Sequence, residues 1–269
     1  MRAINEGDQS FDTVVRVAEP LMTSIETQGQ QLVLGASITM GNILANPDCA
    51  FLHNVAGSIG GPAIRNMATV GGNLFAPSPY GDFATALLAL DAELRFSDGE
   101  SMPLLDWFAQ RASSITATSA AVGALNDGYR SNANAAGSSN TTTGAQRLIT
   151  QIAITRPSSA DHFRFHKVAR VKPKGISVIT IAVHLPRSGA TLSNVRVAYG
   201  AMANTPVRQL SVERALEGQS LEASIDAAVH VATEGLNPPT DPIATNWYRL
   251  AVAPVHLRRV LLGTHMGGK

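Results

Sequence analysis

Two adjacent glycines, Gly71 and Gly72, lie inside the run Ile64-Arg65-Asn66-Met67-Ala68-Thr69-Val70-Gly71-Gly72-Asn73 and constrain this sequence more than any other feature. Lacking a Cβ, each lets the backbone come close to a neighbour or a ligand, and each can reach positive φ. Successive N–H groups in such a turn can form a nest for an anion. Thr69 adds a hydroxyl and Asn73 an amide, both suited to phosphate oxygens. The same pattern also fits a structural turn between packed elements, and by itself it leaves both readings open. No G-x-G-x-x-G follows a strand and no G-x-x-x-x-G-K-[ST] occurs, so the better-known dinucleotide and P-loop sites are excluded.

The next segment, Pro77-Ser78-Pro79-Tyr80-Gly81-Asp82, is stiff and turn-rich and delivers Ser78 and Asp82 to the same neighbourhood. An ionised Asp82 can accept from ribose or ribityl hydroxyls, cap the helix that follows, or do both with its two oxygens. Composition removes several classes. With 21 Lys and Arg against 20 Asp and Glu, the net charge of +1 gives no pull toward nucleic acid or an anionic membrane. The one cysteine, Cys49, rules out a disulfide framework and a cysteine-ligated cluster or zinc site made by this chain alone, and reads as a small, partly buried filler. Glu6, Asp8, Asp12, Arg16 and Glu19 break the first twenty residues, so no secretory signal is expected there, and no run is apolar enough to span a bilayer. A cytoplasmic protein is the expectation.

Along the chain, a strand is expected over 31–36, then a helix over 40–45 capped by Thr39, and another over 51–59. Asp82 opens an apolar helix to Leu90, and a hairpin follows over 92–96 and from Glu100. The small polar stretch within about 113–146 has no hydrophobic period and reads as a flexible loop. Strands over 148–154, 163–168, 176–185 and 192–199 are followed by helices over 212–216, 221–234 and 247–262, the last interrupted at Pro254. Strands followed by a helical block indicate an α+β fold, with domains at 1–157 and 158–269.

The series I-R-N-x-A-T-V-G-G-N-L, S-P-x-G-D and L-D-A-E-L resembles the FAD-binding medium subunits of the molybdenum hydroxylase family, which includes xanthine dehydrogenase and carbon monoxide dehydrogenase. Phe165-His166-Lys167-Val168-Ala169-Arg170 resembles that family's F-x-K-x-x-R strand. The likeness continues in order through Val195-Arg196-Val197-Ala198-Tyr199-Gly200-Ala201, Pro206-Val207-Arg208, Glu213-Arg214-Ala215-Leu216-Glu217-Gly218 and Tyr248-Arg249-Leu250. The resemblance implies an FAD-binding α+β domain followed by a three-stranded antiparallel sheet backed by helices. It implies an oxidoreductase subunit that takes electrons from a 2Fe-2S small subunit and passes them to NAD or another acceptor. Substrate would be hydroxylated on a molybdopterin-binding large subunit. Carried onto this chain, Thr69, Val70, Gly71, Gly72 and Asn73 would contact the pyrophosphate, and Ser78 and Asp82 the FAD hydroxyls or phosphate. Lys167 would lie near the isoalloxazine, where a cation favours a reduced, anionic flavin. Arg65 reads as a structural arginine bonding backbone carbonyls, and Tyr248-Arg249 as helix packing with a surface ion pair.

The family's other pyrophosphate loop, an A-G-G-T-[DN]-like turn, has no counterpart before Gln31, where Glu26-Thr27-Gln28-Gly29 is the only early candidate. Most of the first lobe is therefore expected to be missing. Two other readings follow: a flavin-free relative with a structural or assembly role, and an unrelated nucleotide enzyme using His53 or His166 as base.

Overall fold

The computed structural model describes residues 19–77, 79–121, 147–171 and 175–264. Its first sheet comprises β1 (Ile25–Gln28), β2 (Gln31–Gly35), β3 (Glu93–Phe96), β4 (Ser101–Pro103) and β5 (Ile149–Thr155), ordered β1-β2-β5-β3-β4 with antiparallel neighbours. The β-rich run Ile149-Thr150-Gln151-Ile152-Ala153-Ile154 takes the middle of this sheet and is buried along its length, as a central strand covered on both faces must be. The early Glu26-Thr27-Gln28-Gly29 segment is a hairpin and not a phosphate loop. It forms the end of β1, and Gly29 turns the chain at φ 63.

Helices cover this sheet and join it to the second. Thr39 caps α1 (Met40–Ala45) in a reciprocal capping box with Asn42. The expected helix over 51–59 starts earlier, as a 3-10 turn over Pro47–Leu52 that leads into His53–Gly57. Pro47 supplies a preset φ, and the Asn46 side chain accepts from the Asp48 N–H. Cys49 is fully buried in that turn, and burial pushes its thiol up to about 11. Next come α2 (Val70–Leu74), α3 (Asp82–Ala89) and α4 (Leu104–Ala121). Helix α4 occupies the start of the stretch expected to be a loop from about 113, and residues 122–146 lie outside the described residues.

The second sheet has four strands where three are expected. It comprises β6 (Phe163–Ala169) and β7 (Ser177–His184); then, past the small β8 (Arg187–Ser188) and β9 (Thr191–Leu192) hairpin, β10 (Arg196–Gly200) and β11 (Val207–Arg208). The order is β11-β10-β7-β6. Strand β11 escapes sequence reading because two residues carry no periodicity. It exists through pairing with Ala198 and Tyr199. Helices α5 (Leu210–Leu216), α6 (Leu221–His230) and α7 (Asn246–Leu262) follow. Helix α7 runs through Pro254 without a break. Burial of Ala253, Leu257, Val260 and Leu261 holds it together despite the missing N–H.

Strand alternation decides what each face of the second sheet meets. Ile179, Ile181, Val183, Val197 and Tyr199 form one core with buried residues of α5, α6 and α7. The opposite face presents Phe163, Phe165, Ala182 and Ala198 to the core that contains α3. Helix α3 is buried from Phe83 to Ala89, so it needs cover all round, and it packs on β7 and β10 of the second sheet and against α2 and α4. Each buried Leu or Phe contributes about 1.5–3 kcal/mol. Gly200 lets helix and strand meet closely: a Cβ there would stand 2.5 Å from Thr85 Oγ1 and 3.2 Å from Thr180 Cβ. Gly200→Ala is expected to destabilise the protein by about 1–3 kcal/mol through overpacking, read as a lower urea midpoint. An unchanged midpoint would show that α3 can move away from β10.

Candidate functional site

Thr39 and Thr69 stand side by side as an isolated antiparallel bridge. Met40 N–H donates to Ala68 O at 2.9 Å, and Val70 N–H to Ile38 O at 2.8 Å. Each threonine also caps its own helix, Thr39 accepting from Asn42 N–H and Thr69 from Gly72 N–H. Two helix starts are thus locked together. The glycine pair is part of α2 and takes no positive φ, so of the two readings left open the local backbone is that of a packed helix start and not of a left-handed nest. Glycine is required at position 71 for close approach: its N–H donates to Ala36 O, and a Cβ would lie 2.8 Å from that oxygen.

The four N–H groups from Val70 to Asn73 all have acceptors within the chain: Ile38 O, Ala36 O, Thr69 Oγ1 and Thr69 O. Val70 and Gly71 are buried, whereas Gly72 is exposed. Asn73 gives its Oδ1 to the Ala84 N–H at 2.9 Å, which makes it a cap of α3 and leaves its Nδ2 as the side chain's donor. The surface fits a phosphate-bearing group through the Thr69 hydroxyl hydrogen, Asn73 Nδ2 and the open face of Gly72. At that glycine a Cβ would crowd Thr69 Oγ1 at 2.8 Å. Arg65 donates to Gly60 O at 2.7 Å and less closely to Gly57 O and Ile59 O, the structural role expected of it. Beyond α2, Arg111 donates to Leu74 O and sits over the Phe75 and Trp107 rings.

Asp82 is in the first turn of α3, with Gly81 at the N-cap. Its carboxylate does not cap the helix but crosses to the second sheet. There Oδ1 accepts from Ser177 Oγ and Thr180 Oγ1, and Oδ2 meets Lys167 Nζ at 2.7 Å. Lys167 also donates to Ser58 O at 3.1 Å. The structure therefore joins two expected site residues, Asp82 and Lys167, to each other. Their side chains are only 14% and 9% exposed, so removing one partner strands a charge. Ser78 lies outside the described residues.

A second buried pair lies beside this knot. Arg249 is 0% exposed and not at the surface as the sequence reading has it. Its Nη2 donates to Asp241 Oδ2 at 2.7 Å and its Nη1 to Ala201 O at 2.8 Å. Tyr80 OH donates to the same Asp241 oxygen at 2.7 Å, and Ile243 and Ala244 N–H bond the other. Nothing in the local sequence marks Asp241 for this role, because its side-chain partners Tyr80 and Arg249 are 161 and 8 positions away. Of the histidines considered as bases, His53 bonds Asn46 O and His166 stacks on His256.

Asp82→Ala is expected to cost about 3–5 kcal/mol, with the paired Asp82→Leu, Lys167→Met replacement costing clearly less than the sum of its singles. Additive losses in chemical denaturation would contradict a coupled pair. Burial opposes the Asp241 charge, but hydrogen bonds from Tyr80, Ala244 and Ile243 and the Arg249 charge prevail and hold its pKa below the usual carboxylate value. Its contribution to stability is then complete above the unfolded value of about 3.9 and is lost as pH falls through the lower folded value. Asp241→Asn should lower the melting temperature at pH 7, and the two curves should draw together only as pH falls from about 4 through the lower folded value. Parallel curves would refute this assignment.

Comparison with known proteins places this geometry in a family. The model for "FAD binding domain in molybdopterin dehydrogenase" matches residues 1–124, beginning within the part where most of a lobe is expected to be missing. The model for "CO dehydrogenase flavoprotein C-terminal domain" matches residues 164–264. The glyceraldehyde dehydrogenase medium chain of Sulfolobus acidocaldarius is 24% identical over 240 residues, covering 86% of this chain and 75% of that one. The nicotinate dehydrogenase FAD-subunit of Eubacterium barkeri is 26% identical over 230 residues, covering 81% and 69%. Among solved structures, reconstituted CO dehydrogenase from Oligotropha carboxidovorans shares the fold with a TM-score of 0.71 at 22% identity, over 93% of this chain and 80% of that one. Quinoline 2-oxidoreductase from Pseudomonas putida 86 gives 0.70 at 22% identity, over 92% and 79%. Two family models in this order take in most of the sequence, and the chain belongs to the FAD-binding flavoprotein subunits of the molybdenum hydroxylase family, as an oxidoreductase subunit.

Proposed function

We propose that this chain carries electrons within a three-component molybdenum hydroxylase. It would receive them from a 2Fe-2S small subunit and deliver them to NAD or another acceptor, while a molybdopterin-binding large subunit hydroxylates the substrate. The observation that carries this reading is the succession of the FAD-binding match and the flavoprotein C-terminal match along one chain. The relatives are named for different substrates, glyceraldehyde and nicotinate. That supports a shared electron-transfer role, with substrate selected elsewhere in the complex.

Bound FAD would supply a carrier that accepts and releases electrons. The chain's residues divide the work of holding it. Val70 and Gly71 keep the two helix starts together, and Thr69, Gly72 and Asn73 offer the accessible surface for the pyrophosphate. Asp82 Oδ2 retains a lone pair and Lys167 a third N–H after their mutual contact. Both then remain able to bond cofactor polar atoms. Mutual neutralisation leaves Lys167 a weaker electrostatic influence on its surroundings than a lone lysine.

The full chain purified with FAD should be yellow and release stoichiometric FAD on denaturation. The Thr69→Ala, Asn73→Ala double variant should bind FAD about 10–100-fold more weakly, from the loss of two hydrogen bonds worth about 1 kcal/mol each or slightly more. The commitment of the first four α2 N–H groups favours one alternative, a flavin-free subunit with an assembly role. A colourless protein that ignores added FAD yet co-purifies with the other two subunits would establish that alternative and overturn the flavin reading.

A further inference from the structure

A closed hydrogen-bonded ring links the turn before α3 to the far end of the chain. Ala201 N–H donates to Pro79 O at 3.1 Å. Arg249 Nη1 then donates to Ala201 O, Arg249 Nη2 to Asp241 Oδ2, and Tyr80 OH to that same Oδ2. The path leaves Pro79 and returns to its neighbour Tyr80. Three of its four links cross between segments distant in sequence, so the ring forms only in the folded chain.

Three observations assign the ring a role beyond general cohesion. First, Arg249 is wholly buried and its Nε has no partner among the described residues. An apolar side chain of similar volume is commonly as stable at such a site, so what the guanidinium specifically provides is directed geometry. Second, Ala201 holds φ 64, a left-handed backbone that a residue with a Cβ rarely adopts. Its N–H and C=O both belong to the ring. Third, the ring ends on Pro79 and Tyr80, and the Asp82 knot holds the turn two residues later. Gly81, between the two anchors, takes φ 144. The turn is therefore fixed on both sides of its one glycine.

Resting on the flavoprotein reading above, we propose that Tyr80, Asp241 and Arg249 are positioning residues for the cofactor site. They set the backbone of the turn from Pro79 to Asp82, and through it the face that the turn presents to FAD, without touching the cofactor.

The test measures FAD affinity and the visible circular dichroism of bound flavin in the full chain, for wild type, Tyr80→Phe, Asp241→Asn and their double variant. A control, Asp91→Asn, breaks the ion pairs with Arg196 and Arg208 that join the same halves of the chain beyond the other end of α3. Tyr80→Phe removes one hydroxyl from a charge-assisted hydrogen bond and should weaken FAD binding by about tenfold. Asp241→Asn should do the same, the double variant should be no weaker than the worse single, and the flavin dichroism should change in all three. Asp91→Asn should leave both readouts at wild-type values. Wild-type affinity in Tyr80→Phe, or an equal loss in Asp91→Asn, would overturn the proposal while leaving the flavoprotein reading intact. If Asp241→Asn fails to fold, Tyr80→Phe against the control decides. A wild-type chain that takes up no FAD would defeat the flavoprotein reading, and this proposal with it.

Discussion

The arrangement depends on how a helix with no exposed side is started. Helix α3 is buried from Phe83 through Ala89, yet its first turn carries Asp82, a charge that cannot be left alone in a dry interface. The helix N-terminus favours the carboxylate, Lys167 neutralises it, and Ser177 and Thr180 donate to it. Those partners lie on β6 and at the start of β7. An element that belongs by sequence to the first half is therefore covered, and its charge satisfied, by the second. Asn73 completes the arrangement by capping Ala84, which ties the glycine turn to the same helix.

This coupling changes what the glycine turn means. A nest of free N–H groups would bind an anion by itself, but here the N–H groups of Val70 and Gly71 pin α2 against Ile38 and Ala36. The glycines serve packing first, and on the proposed reading phosphate binding would fall to side chains and to the exposed face of Gly72. A cofactor held this way depends on the exact placement of few donors, so anything that fixes the neighbouring turn acts on binding. The ring through Tyr80, Asp241, Arg249 and Ala201 is such a fixture.

Much of the architecture is legible in the residues. Thr39 as a cap before Met40–Ala45 predicts α1, and the alternation and turn residues of the second half predict β6, β7 and the helices after them. Arg65 is correctly read as a carbonyl-binding arginine, since no carboxylate neighbours it in sequence. Other elements are missed for definable reasons. Strand β11 is too short for any period, and Pro254 is read as a break because the packing that tolerates it is tertiary. The continuation of α4 past Phe108 is obscured by the small polar residues that follow.

The sequence by itself determined the family, the α+β class and the candidate residues, because these depend on local spacing and residue type that survive without coordinates. Tertiary structure alone decided how the candidates are used. It placed Asp82 on Lys167, turned Asn73 into a helix cap, buried Arg249 and brought Asp241 to Tyr80 across 161 positions. The physical reason is that a buried charge or an uncapped N–H takes whichever partner the fold brings within about 3 Å. No pattern along the chain records which partner that will be.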